Sequence, residues 1–334
     1  MKAMNVQPVI DKIKATVESH RIDDGAYSRY LWQNDDSTRK MGANEYGCAD
    51  AANILYTIGS FERDPQKREK LIETLRGFQH PDGLFDEGTH HPQHCTAHCT
   101  AALELFDALP RSPLTALEKY RDVGELYRLL ESLAWIDEPW PAAHVGAGIY
   151  ASFILTGNAS PDWQNAYFGW LTEHADPKYG IGYSGGIDAG VRPLSHHLNG
   201  WFHYLFNFVF ARRPIPYAEK LVDSCLSLYE NKTGLVGNFG HQINFAEVDW
   251  IFALHRASAQ TGYRVAEAKE QLRDFAEGYF DYLLALDAGS DDRWNDLHLL
   301  FGCVCAVAEL QLALPGEILT DYPLKSVLDR RPFI

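Results

Sequence analysis

The sequence predicts an all-α fold, a closed ring of six inner helices set within six outer ones. Three observations predict it. A segment that begins polar and turns apolar recurs about every fifty residues, with copies starting near Ala43, Gln93, Ala142, Ser195, Asn244 and Asn295. An amphipathic segment with a charged face precedes each copy. The links alternate too: inner-to-outer connections are mostly short and marked by Gly or Pro, whereas outer-to-inner connections are often longer. The repeat runs from end to end without a linker, which predicts one domain over 1–334.

Taken along the chain, outer helices are expected at 7–20, 65–78, 116–133, 161–173, 217–229 and 265–286. The second shows the pattern plainly, with Leu71, Ile72, Leu75 and Phe78 on one side and Lys67, Arg68, Glu69, Lys70 and Glu73 on the other. Inner helices are expected at 43–58, 93–108, 142–155, 195–210, 244–259 and 295–314. After their first turn these are apolar on nearly all sides, as buried helices are. Ala49, Ala51, Ala52, Ala101, Ala102, Gly146, Ala147 and Gly148 let them approach closely. Glycine-bearing links at 79–85, 176–194 and 231–235 suit small hairpins. All outer-to-inner links fall on one face of such a ring, so a pocket should open at the inner-helix N-termini.

Composition narrows the function. The chain has 334 residues and a formal net charge of −15. It shows no Lys/Arg stripe of the kind that binds phosphate backbones, which argues against a nucleic-acid partner. No apolar run is long enough to span a bilayer. Residues 1–10 lack the basic head and apolar run of a signal peptide. A cytoplasmic protein acting on a small molecule is therefore expected; the oligomeric state is not legible. The six cysteines, Cys48, Cys95, Cys99, Cys225, Cys303 and Cys305, read as small core residues.

The polar groups at the inner-helix starts carry the chemistry. They are Asn44, Glu45, Tyr46 and Asp50; His94 and His98; Trp140 and His144; His196, His197 and Asn199, with His203 deeper; Asn244, Glu247 and Asp249; and Asp296 and His298. A helix N-terminus disfavours imidazolium, so histidines there stay neutral and serve as bases or polarising donors. Carboxylates among them suit general acid–base work. The expected catalytic set is Glu45, His94, His98, His144, His197, Glu247 and Asp249, with Glu45 and either Glu247 or Asp249 as the carboxylate pair. The expected substrate contacts are Asn44, Tyr46, Trp140, Asn199, Asn244, Trp250, Asp296 and His298, with Trp140 and Trp250 as stacking walls. Asn44, Ser195, Asn244 and Asn295 equally suit helix caps. No cofactor is called for; the alternative is zinc on His94 and His98, four apart on one helical face.

The run 75–109, in which Asp82-Gly83-Leu84-Phe85 leads into His94 and the following helix, resembles the repeat of the terpenoid cyclase and protein prenyltransferase superfamily, an α/α toroid. The last inner helix, with Asp296 and His298 ahead of Cys303 and Cys305, resembles the final helix of prenyltransferase β subunits, where a histidine binds zinc. The preceding inner helix departs from that family, with Asn244 and Ala246 where it has Asp and Cys, and no Asp-x-Asp-Asp motif is present. The layout is also similar to the (α/α)6 barrels of glycoside hydrolases, unsaturated uronyl hydrolases and sugar 2-epimerases. That resemblance implies acid–base chemistry on a sugar. An acid–base enzyme acting on a small, polar, sugar-like substrate (hydrolase, lyase or epimerase) is thus the leading expectation. An isoprenoid-processing lyase, isomerase or cyclase is the alternative, and a non-catalytic binding protein with a plugged axis the third.

Overall fold

The computed structural model describes residues 3–35, 37–232, 235 and 237–333. It is all-α in class. Helices α1 (Gln7–Ser19), α3 (Pro65–Gly77), α5 (Val123–Ser132), α7 (Pro161–His174), α9 (Ala218–Asn231) and α11 (Val265–Ala285) alternate with a second set, α2 (Glu45–Thr57), α4 (Pro92–Leu105), α6 (Pro139–Leu155), α8 (Leu194–Phe210), α10 (Ala246–Thr261) and α12 (Leu297–Ala313). A short α13 (Val327–Arg330) follows. Five of the described helices have a proline in their first turn (Pro8, Pro65, Pro92, Pro139 and Pro161), where its missing N–H costs nothing.

The second helical set packs in sequence: α2 on α4, α4 on α6, α6 on α8, α8 on α10, α10 on α12, and α12 back on α2. Small residues set the spacing. A Cβ on Gly200 of α8 would lie 2.5 Å from the Pro139 carbonyl oxygen, and one on Gly148 of α6 would lie 3.0 Å from that of Gln93. The approach at Gly200 excludes a Cβ unless the backbone shifts, and at Gly148 the neighbour would have to give by a few tenths of an ångström. The α12–α2 seam is tied by the chain ahead of α2: Leu297 N–H donates to Arg29 O (3.1 Å) and the Arg29 guanidinium forks onto Asp296 (2.7 and 2.8 Å). Strand β1 (Met4–Asn5) pairs in parallel with β4 (Ile318–Leu319), joining the two ends of the described chain, and β2 (Arg21–Asp23) pairs with β3 (Ala26–Tyr27).

Two of the expected loop hairpins are present, closed by bridges between Gln79 and Phe85 and between Ala175 and Tyr183. In the third, at 231–235, Thr233 and Gly234 lie outside the described residues. The outer helix expected at 116–133 is instead a 3-10 turn, Thr115–Arg121, followed by α5. Asp122 causes the break: its extended backbone ends the first piece, and its carboxylate caps α5 by accepting the Glu125 N–H (3.0 Å). The inner helices start within three residues of the expected positions. Among the described residues no helix is long and apolar enough to cross a membrane.

Candidate active site: a histidine-walled cavity

A cavity of about 210 Å³ lies at the N-terminal ends of this second helical set. Five histidines wall it: His90 from the loop before α4, His94 from α4, His144 from α6, His203 from α8 and His298 from α12. Trp140, Phe245 and Leu299 supply apolar wall; Arg29 and Asn244 complete the polar lining. Phe333, near the C-terminal end of the described chain, packs on the His94 and His203 rings from below. The tail is fixed there by the Asn207 amide donating to Pro332 O (2.9 Å) and by Arg331 bonding Asn53.

The rings form one packed system. His90 and His94 stack with centroids 4.2 Å apart, and each meets His144 edge-on at 4.5 Å. Tyr46, fully buried, contacts His90, His94, His98 and His298, and its hydroxyl bonds His94 Nδ1. Behind the wall, Asp50 Oδ1 accepts from His98 Nε2 (2.8 Å) and from His298 Nδ1 (3.1 Å).

These bonds fix tautomers, because a carboxylate or carbonyl oxygen only accepts. His298 carries a proton on Nδ1, so the lone pair of its neutral form is on Nε2. The Nδ1–H of His203 donates to Asn199 O (3.0 Å), so its Nε2 is again the basic nitrogen. His98 carries its proton on Nε2 and holds an unpartnered buried Nδ1.

Burial dominates the electrostatics. Desolvation, reinforced by neighbouring imidazoles, drives His94 and His144 well below the ordinary histidine value and His90 to about 3. Desolvation lowers His203 to about 4, and His98 to about 4 despite Asp50. Burial opposes ionisation of Asp50 as well, but the two imidazoles outweigh it and hold the carboxyl below its usual range. At neutral pH His90, His94, His144 and His203 therefore present lone pairs and N–H donors rather than positive charge.

Several expected site residues are brought together here: His94, His144, Trp140, Asn244 and His298 line the cavity, and Tyr46 and His98 back it. Others are not. Asn44 is the N-cap of α2, accepting the Gly47 N–H (2.7 Å). Asp296 caps α12 through the His298 N–H (2.9 Å) and holds Arg29. His197 packs against the Gly182 and Gly186 turns. Trp250 packs toward α9 and α11, stacked on Tyr229 and tilted against Phe275, with its indole N–H on Cys225 O (2.9 Å).

The expected carboxylate pair does not form at the cavity, since none of the three acids lines it. Glu45 accepts from Thr89. Glu247 accepts from Gly240 N–H (3.0 Å) and Gln242 (2.9 Å), and burial pushes its pKa up to about 7. Asp249, raised by burial and by Glu247, takes the Asn199 amide at 3.1 Å in that side chain's satisfied orientation.

Sequence reasoning missed His90 and Arg29. The spacing of four in His90, His94 and His98 was a usable signal, masked by Pro92, which puts His90 outside the helix. Arg29 had none, because a strand bridge between Tyr30 and Asp296 brings it in.

Among the described residues, two groups have donor atoms mutually within 4.8 Å, the proximity a shared metal ion needs: buried Asp50, His98 and His298, and the set His90, His94 and His144. The pair expected to share zinc is split between them, with the His94 and His98 rings 6.3 Å apart. A larger cavity of about 360 Å³ lies between α9, α11 and residues 237–241, but its Asp274 is already bonded to Tyr229 (2.7 Å) and no such cluster converges on it. Comparison with protein-family models, with curated proteins and with solved structures finds no match for this chain.

Proposed function

We propose that the chain is an (α/α)6 toroid enzyme that moves protons on a small polar, sugar-sized substrate held in the histidine-walled axial cavity. Its reaction is of the isomerase, epimerase or lyase type. The observation that carries this reading is the pair of tautomer-fixed imidazoles. His298, oriented by Asp50, offers Nε2 as a base, and His203, oriented by the Asn199 carbonyl, offers a second Nε2 from another wall. A carboxylate behind an imidazole holds the ring in place and stabilises the imidazolium formed when it takes a proton. Two bases on separate elements suit removal of a proton at one position and its return at another. Glycoside hydrolysis is less well supported, because the two carboxylates it uses are not at the cavity.

Size supports a compact substrate. About 210 Å³ holds roughly seven waters at about 30 Å³ each, below the roughly 300–1,000 Å³ of drug-sized pockets. A long isoprenoid chain is poorly served by that volume and by imidazole walls.

The test is a thermal-shift screen of monosaccharides, uronates, small hydroxy acids and prenyl alcohols, followed by NMR of the stabilising compounds with enzyme in D2O. A ligand at a hundredfold its Kd adds about 2.7 kcal/mol of stability. The expected result is stabilisation by a polar compound of monosaccharide size, with deuterium entering at a carbon-bound position. That exchange should be lost in His298→Gln. Stabilisation by prenyl compounds alone, or binding without exchange or turnover, refutes the reading.

A further inference from the structure

Three of the cavity's imidazoles have a relationship that the proton-transfer reading does not use. His90, His94 and His144 come from a loop and two helices, and their donor nitrogens all lie within 4.8 Å of one another. They do not hydrogen-bond to each other. His144 makes no hydrogen bond among the described residues, and the bond from His94 goes through Nδ1 to Tyr46. His90 is engaged only locally, its Nδ1 accepting the N–H of the next residue, His91 (2.8 Å). Three neutral imidazoles brought this close without bonding to one another are an arrangement that a shared cation resolves.

The Asp50 group differs. Its two N–H groups are already satisfied by one carboxylate oxygen at 2.8 and 3.1 Å, although Asp50 Oδ2 and His98 Nδ1 have no partner. Arg29, the cationic side chain among the described residues that line the cavity, is paired by its fork onto Asp296, which offsets its charge.

We propose that His90, His94 and His144 form a binding site for one divalent transition-metal ion of the zinc class, with its fourth position open to the cavity. Imidazole donors select zinc, copper, nickel, cobalt and iron over magnesium and calcium. Three protein ligands with one open position is the arrangement of catalytic rather than structural zinc. A tetrahedral ion with nitrogens at about 2.0–2.1 Å holds them about 3.3 Å apart; His90, on a loop and half-buried, is the ligand free to close that distance. Tyr46 acts behind the site, fixing the His94 ring through Nδ1 as hydrogen-bond partners of ligating histidines do.

The experiment uses the tag-free chain, stripped by dialysis and titrated with Co2+ while visible absorption is followed, then with Zn2+ in competition. Metal content is measured after gel filtration. The expected result is one Co2+ per chain with the intense visible bands of tetrahedral coordination, displaced by Zn2+. The bands should vanish in His144→Ala and His90→Ala and persist in His98→Gln, and Tyr46→Phe should weaken binding about tenfold or more. His90→Ala lies on a loop, so it reads the site even if His144→Ala does not fold. No saturable binding by wild type overturns the proposal. So does binding that survives both alanine variants, or binding lost in His98→Gln but kept in His144→Ala, which would place the ion on the Asp50 group. No substrate is present, so failure here leaves the proton-transfer reading standing.

Discussion

Glu247 provides a quantitative test of how the structure treats its buried acids. It lies in the first turn of α10, fully buried. One carboxylate oxygen accepts from Gly240 and Gln242; the other has no partner. Burial raises its pKa from the ordinary 4.5 to about 7. The folded state therefore binds a proton more tightly than the unfolded chain. Below pH 4.5 both states are protonated and the group is neutral in the balance; as pH rises from 4.5 through 7 the unfolded state ionises first and stability falls. The gap of about 2.5 pH units, at about 1.4 kcal/mol each, amounts to a loss of about 3.5 kcal/mol well above pH 7, of which about 3 kcal/mol is reached by pH 8. Glu247→Gln keeps the accepting oxygen and cannot ionise. Relative to wild type it should be nearly neutral at pH 4.5–5 and more stable by about 3 kcal/mol at pH 8, measured by urea unfolding at both values. Asp249 is raised partly by Glu247, so its penalty shrinks in the same variant and the sign is unchanged. An effect that is equal at the two pH values, or a variant less stable at pH 8, would refute the reasoning.

Asp50→Ala leaves the His98 and His298 N–H groups without their acceptor. At about 1–3 kcal/mol for each buried unsatisfied group it should lower unfolding free energy by about 2–6 kcal/mol with an unchanged denaturant slope, and Asp50→Asn should cost less. Asn44→Ala removes the α2 cap and should cost about 1 kcal/mol, read as a drop in Tm, without altering Co2+ binding. Gly200→Ala forces a Cβ to 2.5 Å from the Pro139 carbonyl and should cost about 1–3 kcal/mol in urea unfolding.

The helices were legible in the sequence for definite reasons. Proline in the first turn, glycine ends such as Gly59 and Gly262, and the charged faces of α1, α3, α9 and α11 mark boundaries that local physics enforces. The face on which the cavity opens followed from the loops. Rotation of the inner helices did not. A helix that is apolar all round has no polar stripe to say which side faces the centre, and each residue turns the chain by about 100°. Position in the first turn therefore put Glu45, Glu247, Asp249 and Trp250 among the candidates, while their side chains point elsewhere: Glu247 to the 240–242 turn and Trp250 to α9. His94 and His298 were found by the same criterion and do reach the cavity. His90 and Arg29 depend on loop paths set by long-range contacts, which a single sequence does not display.

Long-range 1H–15N NMR of histidine-labelled protein at pH 7 tests the central claim most directly, because the claim rests on which ring nitrogens hold protons. The account predicts that the neutral form of both His203 and His298 has its proton on Nδ1 and a pyridine-type Nε2. A neutral ring of either residue with its proton on Nε2 would contradict it.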